Sequence, residues 1–197
     1  MSVAQIFTLV IIALIIFWSV GVYNRLIKLR NEITNAFAQI DVQLKRRHDL
    51  IPNLVEVARK YMEHERDTLE RVTAARAQAI AAADLVRSQP NQAGALKSLN
   101  LAEQVLSSAM GRLNVVMESY PELKADQNLR ELSEELTHTE NKVAFSRQLF
   151  NDVTLEFNNG IHQFPANIIA GLFGFRTAAM LQATTTDAER APVKVSL

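Results

Sequence analysis

From Val3 to Tyr23 the chain reads VAQIFTLVIIALIIFWSVGVY, without one charged side chain. A helix needs about 20 consecutive apolar residues to cross a hydrocarbon core about 30 Å thick, and this run has that length. Trp18 and Tyr23 lie toward its C-terminal end, where amphipathic rings favour the headgroup layer. The pattern then becomes periodic. Ile33, Phe37, Ile40 and Leu44 are followed by Ile51, Val55, Ala58 and Met62, then by Leu69, Val72 and Ala79. Steps of three and four place such residues on one face of a helix. The stripe keeps its phase through Pro52, which predicts one very long helix, kinked there but unbroken, reaching about Arg87. Leu96, Leu99, Leu106, Met110, Leu113 and Met117 predict a second helix over 93–119, stopped by Tyr120-Pro121. After a connector over 122–127, Leu129, Leu132, Leu136, Val143, Phe150, Val153 and Phe157 predict a third over 128–158, with Asn159-Gly160 as its C-cap. The apolar run from Ile168 to Phe175 is too short to span a bilayer and reads as a short amphipathic helix with Pro165 in its first turn.

The expected fold class is therefore all-α: an N-terminal transmembrane helix followed by an antiparallel helical bundle with a very long first helix. Three long helices alternate in direction, so the first and third run parallel with facing stripes. The expected division is an anchor over 1–24, a bundle over 25–183 and a polar tail over 184–197. A cleaved signal peptide would carry a basic leader and a small-x-small cleavage site. Here the leader has no basic side chain, and Tyr23-Asn24-Arg25-Leu26 stands where that site should be. Arg25, Lys28 and Arg30 flank the run on its C-terminal side only, so the bundle is expected on the cytoplasmic face and Met1 outside.

Composition narrows the chemistry. Lys and Arg number 21, as do Asp and Glu, so no whole-chain field attracts nucleic acid. Cysteine is absent, which excludes disulfides, thiolate catalysis and Cys-ligated metals. Glu135-Leu136-Thr137-His138 has the Glu-x-x-His spacing of di-iron bundles, but the second copy those sites need is missing. His138 reads as solvated or interfacial. The serines lie in helices without a nucleophile elbow, and the glycines are scattered singly rather than gathered in a phosphate loop. Neither a catalytic constellation nor a cofactor or metal site is expected, and the protein is read as a non-enzyme.

Polar residues at stripe positions are the remaining signal. Arg47 and His48 fill the gap between Leu44 and Ile51, Glu65 the gap between Met62 and Leu69, and Arg76 the gap between Val72 and Ala79. In the third helix Glu140 separates Leu136 from Val143, and Arg147 separates Val143 from Phe150. A charge in a bundle seam is costly unless paired, so these residues predict a buried ion-pair network that sets register. Glu140 is expected to be at least partly buried and paired with Arg47 or Arg147.

Several runs carry a family resemblance. They are Tyr23-Asn24-Arg25-Leu26 after the anchor, Lys45-Arg46-Arg47-His48-Asp49-Leu50-Ile51-Pro52-Asn53-Leu54-Val55, Tyr120-Pro121-Glu122-Leu123-Lys124-Ala125, Thr139-Glu140-Asn141-Lys142 and Phe157-Asn158-Asn159. Over nearly its whole length the chain resembles the LemA family of bacterial membrane proteins, departing from the usual pattern at Ser119, where Asn is commoner. The resemblance implies one N-terminal anchor in the bacterial inner membrane, a helical bundle, no established enzymatic activity and, through a magnetosome member, a role in membrane organisation. The expected partners are the lipid bilayer, further copies of the chain in a homo-oligomer, and a membrane-protein partner. The leading expectation is a self-associating scaffold or interaction protein. The alternative is an accessory, or a ligand- or metal-binding partner, of a membrane enzyme such as a protease.

Overall fold

Ser2 starts the first helix. Its hydroxyl accepts from the Gln5 N–H while the Gln5 side chain accepts from the Ser2 N–H at 2.9 Å, a capping box. The computed structural model describes residues 2–89 and 92–181. Helix α1 covers Val3–Arg59, 57 residues without interruption, or about 85 Å at 1.5 Å per residue. It is the one helix among the described residues long and apolar enough to cross a membrane. From Val3 to Trp18 it is exposed among the described residues, and full burial begins at Leu26.

Pro52 lies inside α1 and does not break it. Its nitrogen carries no hydrogen, so the His48 carbonyl loses its partner four residues on. The Arg76 guanidinium takes that place, donating from Nε to the His48 oxygen. A neighbouring helix thus supplies the donor that proline removes.

The expected continuation to Arg87 is wrong, because the chain turns back. After Arg59 the backbone leaves helical geometry at Met62 (φ −119°, ψ 50°), makes a 3-10 turn over Glu63–Glu65, and enters α2 at Arg66–Ser88. Two features hide the reversal in sequence. Met62 is fully buried and Leu69 follows seven residues later, so both arms of the hairpin offer in-phase stripes to one core. The segment 60–65 also contains none of the Gly, Pro or Asn residues that announce a turn.

The remaining elements are α3 (Ala93–Met117), α4 (Pro121–Ala125), α5 (Gln127–His162) and α6 (Ala166–Leu172), and no strand occurs among the described residues. Asp41 pairs with Arg87 and His48 with Arg76, so α2 runs against α1. Phe37 meets Phe150 and Arg47 meets Glu140, so α5 also runs against α1, not parallel to it as expected. The extra hairpin adds one helix and inverts the direction of everything after it. The result is an up-down-up-down bundle of α1, α2, α3 and α5. Its two longest members, α1 and α5, reach beyond α2 and α3 toward the apolar end.

Helix α5 starts at the Asp126 cap, whose carboxylate accepts from the Leu129 N–H at 3.0 Å. It passes through Asn159-Gly160, so the expected C-cap there is also corrected. Gly160 faces α1 instead, and a Cβ at that position would sit 3.4 Å from the Leu26 and Leu29 side chains. Its role is close approach of two helices. Helix α6 closes in a Schellman turn: Phe175 donates to the Ala170 carbonyl at 2.9 Å, Gly174 to that of Gly171 at 3.3 Å, and Gly174 takes φ +69°.

Beyond α6 the chain lies along α5 as an extended strap. The Asn158 side chain exchanges two hydrogen bonds with the Ala178 backbone, at 2.8 and 3.0 Å. Asn151 does the same with Leu181, at 2.7 and 2.8 Å. Seven helical residues and three extended ones both advance about 10 Å, which is why the two rungs register. The tail expected over 184–197 lies outside the described residues.

Candidate functional site: a charge layer across the bundle

The apolar core is divided into two blocks. The one nearer the apolar segment includes Leu44, Ala83, Leu99 and Val143; the farther one includes Ile51, Ala79, Leu106 and Leu136. Between those levels each helix of the α1, α3 and α5 set replaces its stripe residue with a polar one. Arg47 and His48 come from α1, Glu103 from α3, and Thr139 and Glu140 from α5.

Arg47 stands at the centre. It donates from Nη1 to Glu103 Oε2 at 2.6 Å and from Nη2 to Glu140 Oε1 at 2.9 Å. His48 Nε2 lies 2.8 Å from Glu103 Oε1. An ionised carboxylate has no hydrogen to give, so His48 is the donor. Both Glu103 oxygens are therefore engaged. The Arg47 and Glu103 side chains are 7% and 8% exposed, whereas Glu140 is 43% exposed and forms the solvated rim. Thr139, fully buried, gives its hydroxyl to the Glu135 carbonyl at 2.8 Å, and outside it Arg46 Nε donates to Glu135 at 2.8 Å. Arg47 Nε is buried without a hydrogen-bond partner.

The residues singled out from the sequence divide as follows. Arg47, His48, Arg76 and Glu140 gather at this layer, Arg76 through the His48 carbonyl. Of the two arginines considered for Glu140, Arg47 makes the contact. Arg147 lies two turns nearer the apolar end, where Nη2 donates to Asn100 Oδ1 at 2.8 Å. Glu65 sits in the 3-10 turn, half-buried and away from the layer. Its stripe gap was the turn itself. Glu103 was missed, although Leu99 and Leu106 leave the same seven-residue gap that marked the other positions. Among the anchor residues, Trp18 is exposed, Tyr23 stacks on Phe173 at 4.8 Å and Phe175 at 5.8 Å between ring centres, and Arg25, Lys28 and Arg30 point to solvent, with Lys28 3.9 Å from Glu32.

Chemically, the layer is closed on itself. Apart from Arg47 Nε its buried charged groups hold one another, and no described cluster of three or more His, Asp or Glu side chains could grip a metal. His138 is exposed. The Asp126 carboxyl is held below its ordinary value, first by the Leu129 amide, and the Tyr61 phenol is raised by its hydrogen bond to Asp126.

Known proteins are similar in sequence along most of the chain. The LemA family profile covers residues 36–197. A protein named LemA from Metamycoplasma hominis is 28% identical over 191 residues, 97% of this chain and 82% of its own length. Magnetosome protein MamQ 2 of Paramagnetospirillum magneticum is 22% identical over 175 residues, 81% of this chain and 64% of its own. Magnetosome protein MamQ of Magnetospirillum gryphiswaldense is 22% identical over 169 residues, 78% and 62% of the two chains. With a profile match over the layer-bearing helices and an apolar helix that fits membrane anchoring, the chain belongs to the LemA family.

Proposed function

We propose that this protein is a single-pass, non-catalytic scaffold of the inner membrane that self-associates, with its bundle on the cytoplasmic face. The observation that carries the reading is α1, one helix continuous from the uncovered apolar segment into the bundle core. With no joint at Asn24, the bundle is rigidly continuous with the apolar segment, as suits a platform. The closed charge layer supports a structural role, since buried ion pairs of this kind mostly specify register and partner. Apolar side chains left exposed on the outer face of α3, Leu101 and Val105 one turn apart, offer surface for a second copy. Two relatives are named magnetosome proteins, which favours membrane organisation as the setting.

Crosslinking in intact membranes, followed by mass spectrometry, tests this. Recovery of the chain crosslinked to itself is expected. One recurrent enzyme partner, with no self-crosslink, overturns the scaffold reading in favour of an accessory to a membrane enzyme.

A further inference from the structure

Helix α6 is amphipathic in an unusual place. Ile169 and Ala170 are buried in the bundle, at 7% and 1% exposure. The opposite side presents Phe164, Ile168, Leu172 and Phe173, between 57% and 77% exposed. Ile168 and Leu172, four residues apart, share one face of the helix, and Phe164 stands exposed in the turn that precedes it. The Schellman turn at Gly174 keeps Phe173 on that outer side while folding Phe175 back against Phe157.

The position of this face identifies what covers it. The apolar run ends at Tyr23, and about 20 residues of helix from Val3 span about 30 Å, the thickness of the hydrocarbon core. Tyr23 therefore stands at the membrane surface, and the Phe173 ring is 4.8 Å from it. Val22 packs against the block that contains Ala170, and Ser19, Val22 and Tyr23 are half-buried at the end of a run that is exposed before them. Helix α6 thus lies beside the last turn of the span. Charge agrees: Arg30 and Arg176 line the hollow beside Phe173, Arg25 and Lys28 are exposed in the turns of α1 that follow the apolar run, and Glu32 is the one acidic residue in the chain before Asp41.

We propose that α6 is an interfacial helix, its Phe164–Ile168–Leu172–Phe173 side inserted in the headgroup–acyl boundary of the leaflet that α1 leaves at Tyr23. The basic side chains around it meet lipid phosphates. An apolar face with a basic rim is the form such interfacial helices take, sitting about 5–10 Å into the boundary. The bundle is then held to the membrane at two points, α1 and α6, and cannot swing about α1. The inference rests on the reading of α1 as the anchor.

The chain has no cysteine, so single-cysteine spin labels test this in the full-length protein in phosphatidylglycerol-containing vesicles. Labels go at Leu172→Cys and Ile168→Cys, with Ile16→Cys within the span and Val115→Cys on the exposed far part of α3. Circular dichroism checks each fold. Labels at 172 and 168 should collide several-fold more with oxygen than with a polar nickel chelate, relative to the label at 115, and report a shallower depth than the label at 16. Water-like collision ratios at both 168 and 172, with lipid-like ratios at 16, overturn the α6 proposal and leave the anchor standing. Water-like ratios at 16 overturn the anchor, and this proposal with it. Protection of 168 and 172 from both quenchers, with dipolar broadening, overturns it in favour of a second copy on the same face.

Discussion

Glu103 accepts two buried hydrogen bonds in the charge layer, one from Arg47 and one from His48. Replacing it with alanine leaves the buried Arg47 guanidinium with the half-exposed Glu140 alone and removes the acceptor of the buried His48 Nε2–H. Breaking one side of such a pair costs about 3–5 kcal/mol, whereas an exposed pair contributes about 0–1 kcal/mol. Glu103→Ala should therefore lower the unfolding midpoint steeply, and Glu140→Ala only slightly, because Glu140 is 43% exposed. Thermal or urea unfolding of the two variants side by side checks the order. From the sequence Glu140 is the glutamate expected in the buried pair; both residues fill a stripe gap, and the difference between them is solvent exposure, which only the neighbouring helices set. Asp126 gives a second test. Its folded carboxyl titrates below the ordinary value of 3.8, chiefly through the Leu129 amide. A depressed carboxyl contributes stability above its unfolded pKa and loses it as pH falls toward the folded one. Asp126→Asn should thus be less stable than wild type at neutral pH, with the deficit shrinking as pH drops below about 4.

At the scale of the element, Pro52 and Arg76 form a testable unit. Arg76 supplies the His48 carbonyl with the donor that Pro52 lacks. Pro52→Ala restores an N–H in α1 that can take over. Arg76→Ala should then cost about 1–3 kcal/mol in the wild-type background, the penalty of an orphaned buried acceptor, and less in the Pro52→Ala background. A double-mutant cycle on unfolding free energy reads the coupling, and additivity of the two changes would refute it. The continuity of α1 through Pro52 was legible because the apolar phase does not slip there. The turn at Met62 was not, for the same reason: a hairpin whose arms share one core can also keep phase. The strap was not legible either. Its hydrogen bonds join Asn151 and Asn158 to backbone atoms 30 and 20 residues away, respectively, and local pattern carries no trace of such pairing.

For the whole molecule, the anchor and the basic flank of Arg25, Lys28 and Arg30 predict a cytoplasmic C-terminus. A reporter fused after Leu197 should be active as a cytoplasmic fluorophore and silent as alkaline phosphatase, and the reverse result would invert the orientation. The sequence by itself determined the all-α class, the apolar helix, the stripes of α3 and α5 and most polar positions of the charge layer. These follow from side-chain polarity and helical period, which are local properties. Tertiary structure alone decided the hairpin at Met62, and with it the direction of α5 against α1. It also decided that Arg47 meets Glu103 as well as Glu140, and that α6 lies beside the end of the apolar run. Those outcomes depend on which stripe is buried against which. Several pairings of apolar faces satisfy the same period, and it is the close fit of whole helices, Gly160 against Leu26 and Leu29 among the contacts, that selects one.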